Sequence, residues 1–193
     1  MSENKVQFNL KNVHYSVLTE NGASSGGVTY NWSTPVHVPG AVNLSLDQQG
    51  EITKFYADGI VYYKSPVNNG YEGDLEMARI IDKMLQDVWG MTLGQTSKVL
   101  TENANTEPKA FALLFQIDGD AGEDCYVLYN CTGTRPAISA KTKEENKDPQ
   151  TQSSTISATP LSDGRVMART TSETPAEVKA AWFASVFTES PES

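Results

Sequence analysis

Residues 56–90 read YADGIVYYKSPVNNGYEGDLEMARIIDKMLQDVWG, and the way this stretch divides decides the fold. An aromatic, β-branched run over 55–63 leads to the turn signal Asn68-Asn69-Gly70, and a second extended run follows over 71–80, so the pattern predicts a hairpin. In the second run Glu72, Asp74 and Glu76 fall two apart, which puts three carboxylates on one face of a pleated strand, successive ones about 7 Å apart. Leu75 and Met77 face the other way. From Ile81 the period changes: Ile81, Met84, Leu85, Val88 and Trp89 form a helical stripe that Gly90 can close. The stripe also extends back through Ile80 and Met77, so periodicity equally permits one helix from an Asp74 N-cap to Trp89.

Working outward, residues 13–18 alternate as a strand, ENGASSGG at 20–27 breaks it with a flexible tip, and 28–38 resumes it. Over 41–46, Val42, Leu44 and Leu46 fall on one face and Asn43 and Ser45 on the other, a half-buried strand ending in the turn-like Asp-Gln-Gln-Gly. Residues 91–109 are poor in apolar side chains and read as a long loop or poorly paired hairpin, of the kind that usually binds something. Residues 110–117 and 125–132 are strongly apolar strands and the best core candidates. KTKEENKDP at 141–149 is a mixed-charge connector. Residues 152–159 and 165–170 form a hairpin pattern around Leu-Ser-Asp-Gly, and Thr151, Ser153, Thr155, Ser157 and Thr159 occupy one unbroken polar face that suits an edge or a wet channel. At the end, Thr174 as N-cap, Pro175 at the first helical position and Glu177 completing a capping box start a helix over about 175–187, with Val178, Ala181, Trp182 and Val186 as its apolar stripe.

The chain's 193 residues suit a single domain, 1–193, able to bury roughly 70% of its unfolded surface. Fifteen basic against 24 acidic residues leave a net charge of −9, which argues against a surface that grips nucleic-acid phosphates. The N-terminus has no apolar signal core and no run is long enough to span a membrane, so the expectation is a soluble protein made in the cytosol. Cys125 and Cys131, six apart in one strand, fall on the same face about 20 Å apart, too far to bridge, and read as buried thiols.

Little in the inventory points to catalysis. The two histidines, His14 and His37, lie in strand patterns without metal-ligand spacing, and no nucleophile elbow, P-loop or dinucleotide fingerprint occurs, so neither catalytic residues, cofactor nor metal are expected. Asp118, Asp120, Glu123 and Asp124 read as a turn rather than a calcium loop. For Glu72, Asp74 and Glu76 the readings are a solvated strand face, a role in assembly, or a glycosidase carboxylate pair, which lacks any inferable aromatic cleft. The three Asn-X-Ser/Thr sequons, at Asn31, Asn43 and Asn130, are chance occurrences in a cytosolic product.

Five segments, NKVQFNLKNVHYSVL (4–18), VPGAVNLSL (38–46), FYADGIVYY (55–63), NNGYEGDLEMA (68–78) and VLYNCTGTRPAIS (127–139), resemble the major tail protein family of long-tailed phages with non-contractile tails. The likeness runs in order over about 4–187 and is weaker at 21–27 and 91–105; the 188–193 tail carries no signal and is expected to be flexible. The resemblance implies strand followed by short helix in the central stretch, and a mainly β (α+β) tail tube fold: a β-sandwich or barrel-like subunit with a flanking short helix and a C-terminal helix. It implies a virion protein that self-assembles into hexameric rings stacked as the tail tube of a siphophage. Its implied partners are further copies, a tape-measure protein, tail tip or initiator and tail terminator proteins, and genomic DNA passing through the lumen during ejection without specific binding. On this reading the turn-rich excursions 47–59 and 21–27 make contacts between rings, through Asp47, Lys54, Tyr56, Asp58, Ser24 and Ser25. The polar faces of 41–46 and of the 152–170 hairpin line the lumen, through Asn43, Ser45, Gln152 and Ser154. Two other readings stand beside it: a tube protein of a contractile injection machine, and a β-sandwich binding module, for which Trp32, Trp89 and Trp182 look more like packing anchors than a binding platform.

Overall fold

The computed structural model describes the backbone of residues 3–24, 27–142 and 149–189, and side chains over the same ranges except 20–24, 27 and 28. In chain order the strands are β1 (Gln7–Ser24), β2 (Gly27–Trp32), β3 (Val36–His37), β4 (Ala41–Gln49), β5 (Ile52–Ala57), β6 (Ile60–Pro66) and β7 (Gly70–Met77). Helix α1 (Asp82–Asp87) follows, then β8 (Thr92–Leu93), β9 (Leu100–Thr101), β10 (Phe111–Gly119), β11 (Glu123–Gly133), β12 (Gln152–Ala158), β13 (Met167–Arg169) and helix α2 (Ala176–Ala181). Nine strands form one antiparallel sheet in the order β2-β1-β10-β11-β12-β7-β4, with β3 added on β1 and β13 on β11. The fold is mainly β, as the sequence predicts.

The apolar run at 110–115 becomes β10, and it is apolar without alternation because both faces are covered. Phe111, Leu113 and Phe115 point into one cluster, with Tyr15, Leu75, Met77, Leu128 and Ile156. Ala112 and Leu114 point into another, with Tyr30, Val127, Tyr129, Trp182 and Val186. The sheet curls around the first cluster, to which β1, β4, β7, β10, β11 and β12 all contribute. Helix α1 and its flanking residues plug it: Met84 of the helix and Ile80, Val88 and Trp89 beside it are each at most 2% exposed, and the Trp89 indole N–H donates to the Gly133 carbonyl at 2.9 Å. Gly90, at φ 68°, ends the helix in the left-handed conformation. Of the two readings of 71–89, the strand-then-helix one is therefore observed.

The second cluster is closed by the C-terminal segment. Its helix is shorter than the stripe suggests and starts differently. Thr174 uses its hydroxyl to accept the N–H of Thr171 at 2.8 Å, and extended Pro175 takes the N-cap position. After Ala181 the chain turns to seat Trp182 and Val186 in the cluster, and Ala181 is exposed.

Other expectations are corrected. Residues 20–24 continue β1 and pair with β2 up to Ser24 opposite Gly27, so the expected tip at 20–27 is strand at both ends. β12 and β13 do not form a hairpin; each pairs with β11, at Cys131–Gly133 and Tyr126–Leu128 respectively. Val42 is 48% exposed because a register shift between Ala41 and Asn43 displaces it from the Leu44 and Leu46 face. A second shift, in the β10–β11 ladder, puts Cys125 and Cys131 on opposite faces rather than one. Both thiols are buried, and burial pushes that of Cys131 up to about 12. As expected, 91–109 forms only a small hairpin, β8–β9. Within the connector, 143–148 lie outside the described residues, as do 190–193 of the tail.

His14 and His37 are register partners, their rings 4.8 Å apart, and Phe183 stacks on His14 at 4.7 Å. Burial, helped by the second imidazole, holds the His14 pKa below its usual 6.5. A depressed histidine contributes stability that is complete above the unfolded-state pKa and is lost as pH falls below it. The melting temperature is expected to fall between pH 7.5 and 5.5 by more in the parent than in His14→Gln, measured by circular dichroism; parallel curves would remove this pair from the pH response. Trp89→Phe deletes the donor to a buried carbonyl and is expected to cost about 1–3 kcal/mol, read by urea denaturation; an unchanged midpoint would show that the indole bond contributes nothing.

Candidate assembly interface

The aromatic run at 55–63 is not one strand. Asp58 (φ 52°) and Gly59 (φ 77°) both take left-handed conformations, the two-residue turn that Asp-Gly favours, and they fold β5 against β6. The predicted hairpin between this run and 71–80 across Asn68-Asn69-Gly70 is thus replaced: β6 pairs with β5, and β7 with β4 and β12. The expected loop 47–59 is likewise the end of β4, β5 and this turn.

The β5–β6 hairpin extends the β4–β7 ladder. Between the two, the Asn69 N–H donates to the Gln49 carbonyl at 2.8 Å and the Val67 N–H to the Glu51 carbonyl at 3.0 Å, so pairing continues from sheet to arm. Gly50 makes the junction possible, since a Cβ there would lie 2.0 Å from the Val67 carbonyl oxygen. Beyond it the large apolar side chains of the arm are mostly exposed among the described residues: Ile52 is 61% exposed, Phe55 60%, Tyr56 61%, Ile60 63%, Tyr62 71% and Tyr63 62%. Register sorts its two faces. Phe55 opposite Tyr63 and Ala57 opposite Ile60 make one, while Tyr56 opposite Val61, Lys54 opposite Lys64 and Ile52 opposite Pro66 make the other. An apolar surface exposed on both sides of two strands is a candidate interaction site.

At the root of the arm lies a polar sheet face. Glu72, Asp74 and Glu76 share one side of β7, with Leu75 and Met77 buried on the other, as the spacing predicts. Opposite them on β4 stand Asp47, Ser45 and Asn43, and on β12 Ser157, Thr155 and Ser153. Thr155 donates its hydroxyl to Asp74 at 2.8 Å and Thr151 donates to Glu76. Neither Asp47 nor Glu72 has a side-chain partner among the described residues.

Not all the sequence-predicted site residues come together. Lys54, Tyr56 and Asp58 lie on the arm and Asp47 at its root. Ser24 ends β1 on a different hairpin, and Ser25 is outside the described residues. Asn43 and Ser45 share the polar face, but Gln152 and Ser154 are on the opposite side of β12. Ser154 is buried, 1% exposed, and donates to the Thr134 carbonyl at 2.6 Å, while half-buried Gln152 accepts the Ile80 N–H at 2.8 Å. Their neighbours Ser153, Thr155 and Ser157 are the β12 residues that share the polar face with Asn43 and Ser45, and the unbroken Ser/Thr alternation is the sequence signal for it. The arm itself was signalled by Asp58-Gly59, overshadowed by the stronger-looking Asn68-Asn69-Gly70.

The Asp118–Asp124 loop acts as a clasp for the N-terminus. The Lys5 N–H donates to Asp120 at 2.7 Å, and Asn4 bonds the Gly122 carbonyl and Asp124. Lys11 bridges Asp118 at 2.8 Å and Glu123 at 3.0 Å, and this contact holds the Asp118 carboxyl below its usual range. Among the described residues no group of three His, Cys, Asp or Glu side chains is placed to hold a metal.

Comparison with protein-family models and with curated protein sequences gives no match. Among solved structures, the chain is similar to the anti-feeding prophage cap, a tube terminating cap, at a TM-score of 0.46 and 12% identity over 89% of this chain and 97% of that one.

Proposed function

We propose that this chain is the repeating structural subunit of a phage tail tube, a single domain that closes into six-membered rings which stack through their arms. The observation that carries the reading is the β5–β6 arm, whose large apolar side chains are exposed among the described residues and suit a second protein surface. A heterologous contact of this kind propagates rather than closing on itself, as a stacked tube requires. The sequence resemblance to major tail proteins supports the identity of the assembly. In this reading the polar face of β4, β7 and β12 lines the lumen through Asn43, Ser45, Asp74 and Glu76, and the chain performs no enzymatic reaction. Six copies at −9 each make a strongly negative ring, past which DNA moves without sticking. A tape-measure protein, an initiator at the tail tip and a terminator are its further partners, and the virion tail is its location.

Negative-stain electron microscopy of the purified protein over a concentration series, alone and with tail-tip complexes, is expected to give sixfold rings or hollow tubes; a monomer under every condition would overturn the reading. Replacing residues 51–67 by a short glycine turn is expected to leave a folded subunit with unchanged melting temperature that no longer stacks. Normal tubes from that variant would remove the arm from the assembly.

A further inference from the structure

Two uncompensated like-charge pairs stand in the two ladders that the arm junction joins, β5–β6 and β4–β7. On the arm, Lys54 is the register partner of Lys64; at its root, Asp47 is the register partner of Glu72; all four are exposed. Like charges directly opposite one another destabilise a strand pair. Among the described residues none of the four has an ion pair or side-chain hydrogen bond, whereas Asp74 and Glu76 each accept one from a threonine. The two pairs have opposite sign and are separated along the strand by about 23 Å at ~3.3 Å per residue, so they cannot neutralise each other within one copy.

We propose that Lys54 and Lys64 of one copy dock on Asp47 and Glu72 of a second copy, and that this fourfold charge contact sets the register between stacked subunits. The inference rests on the self-assembly reading and names the acceptor for the arm within it. Asp47 and Glu72 lie at the arm end of the polar face, at the rim where one ring meets the next, while Asn43, Ser45, Asp74 and Glu76 lie farther from the arm. Ile52, Tyr56 and Val61 share the lysines' face of the arm, so the contact buries apolar surface while the charges fix its position. Charge complementarity of this sort supplies specificity more than raw affinity.

The test reverses each pair separately: Lys54→Glu with Lys64→Glu in one variant, Asp47→Lys with Glu72→Lys in another. Each alone is expected to raise the concentration needed for assembly about tenfold or more, seen by sedimentation velocity and electron microscopy. An equimolar mixture is expected to restore assembly to near the parent's level, because each arm then meets an acceptor of opposite charge. Restoration also shows that both variants are folded. Parent-like assembly of either variant alone, or a mixture no better than its components, would overturn the contact while leaving self-assembly standing. A parent protein that never assembles would overturn the self-assembly reading and this contact with it.

Discussion

The double-sided burial of β10 is the constraint on which the other elements depend. Once Phe111, Leu113 and Phe115 face one way and Ala112 and Leu114 the other, each side needs a lid. The first is supplied by the curl of the sheet and by α1, anchored through Trp89; the second by the C-terminal segment, through Trp182 and Val186. Neither helix exceeds six residues, below the length at which helices are stable on their own. Their order derives from the apolar faces they cover. The His14–His37–Phe183 stack ties the C-terminal lid to β1 and β3 at a point where protonation works against closure.

The same dependence explains the arm. A lone two-stranded hairpin is marginal in water, and one whose central pairs include Lys54 opposite Lys64 is weaker still. It holds together because the ladder at its root is fixed in the sheet, where β7 lies between β4 and β12, and because Gly50 lets two backbone hydrogen bonds bridge the junction. The same two chain segments therefore run from a buried core, through a polar face and a hydrogen-bonded junction, to an exposed apolar tip.

What could be read from the sequence follows from how local each determinant is. The apolar β10 and β11 strands are set by spacing within one element and were legible; the carboxylate row of β7 and the start of α1 were legible only as one of two periodicities, which the family resemblance separated. Strand partners depend on contacts far apart in the chain, and there the reading failed: Asn68-Asn69-Gly70 has better turn composition than Asp58-Gly59, yet only the latter closes a two-residue turn. The register shifts at Ala41–Asn43 and near Cys131 are invisible to strict alternation, which assigned Val42 and the two thiols to the wrong faces. The core-side placement of Gln152 and Ser154 is of the same parity type, since a polar side chain there is tolerated when a specific backbone partner exists, as the Thr134 carbonyl and the Ile80 N–H do here.

The charge pattern of the arm also bears on what it avoids. An exposed apolar hairpin invites pairing with identical hairpins, and edge strands commonly carry lysines to prevent this. Two arms brought face to face on their lysine sides would juxtapose four ammonium groups, and two roots brought together would juxtapose four carboxylates. Both like-with-like arrangements are repulsive, and only arm on root is attractive. One substitution, Lys64 to an acid, would relieve the arm's internal repulsion and at the same time abolish this discrimination. In the proposed contact, the strain within each pair is the counterpart of specificity between copies: the sequence forgoes a few tenths of a kcal/mol or more per like-charge pair, and a copy docking arm on root would disfavour the wrong contacts as well as favour the right one.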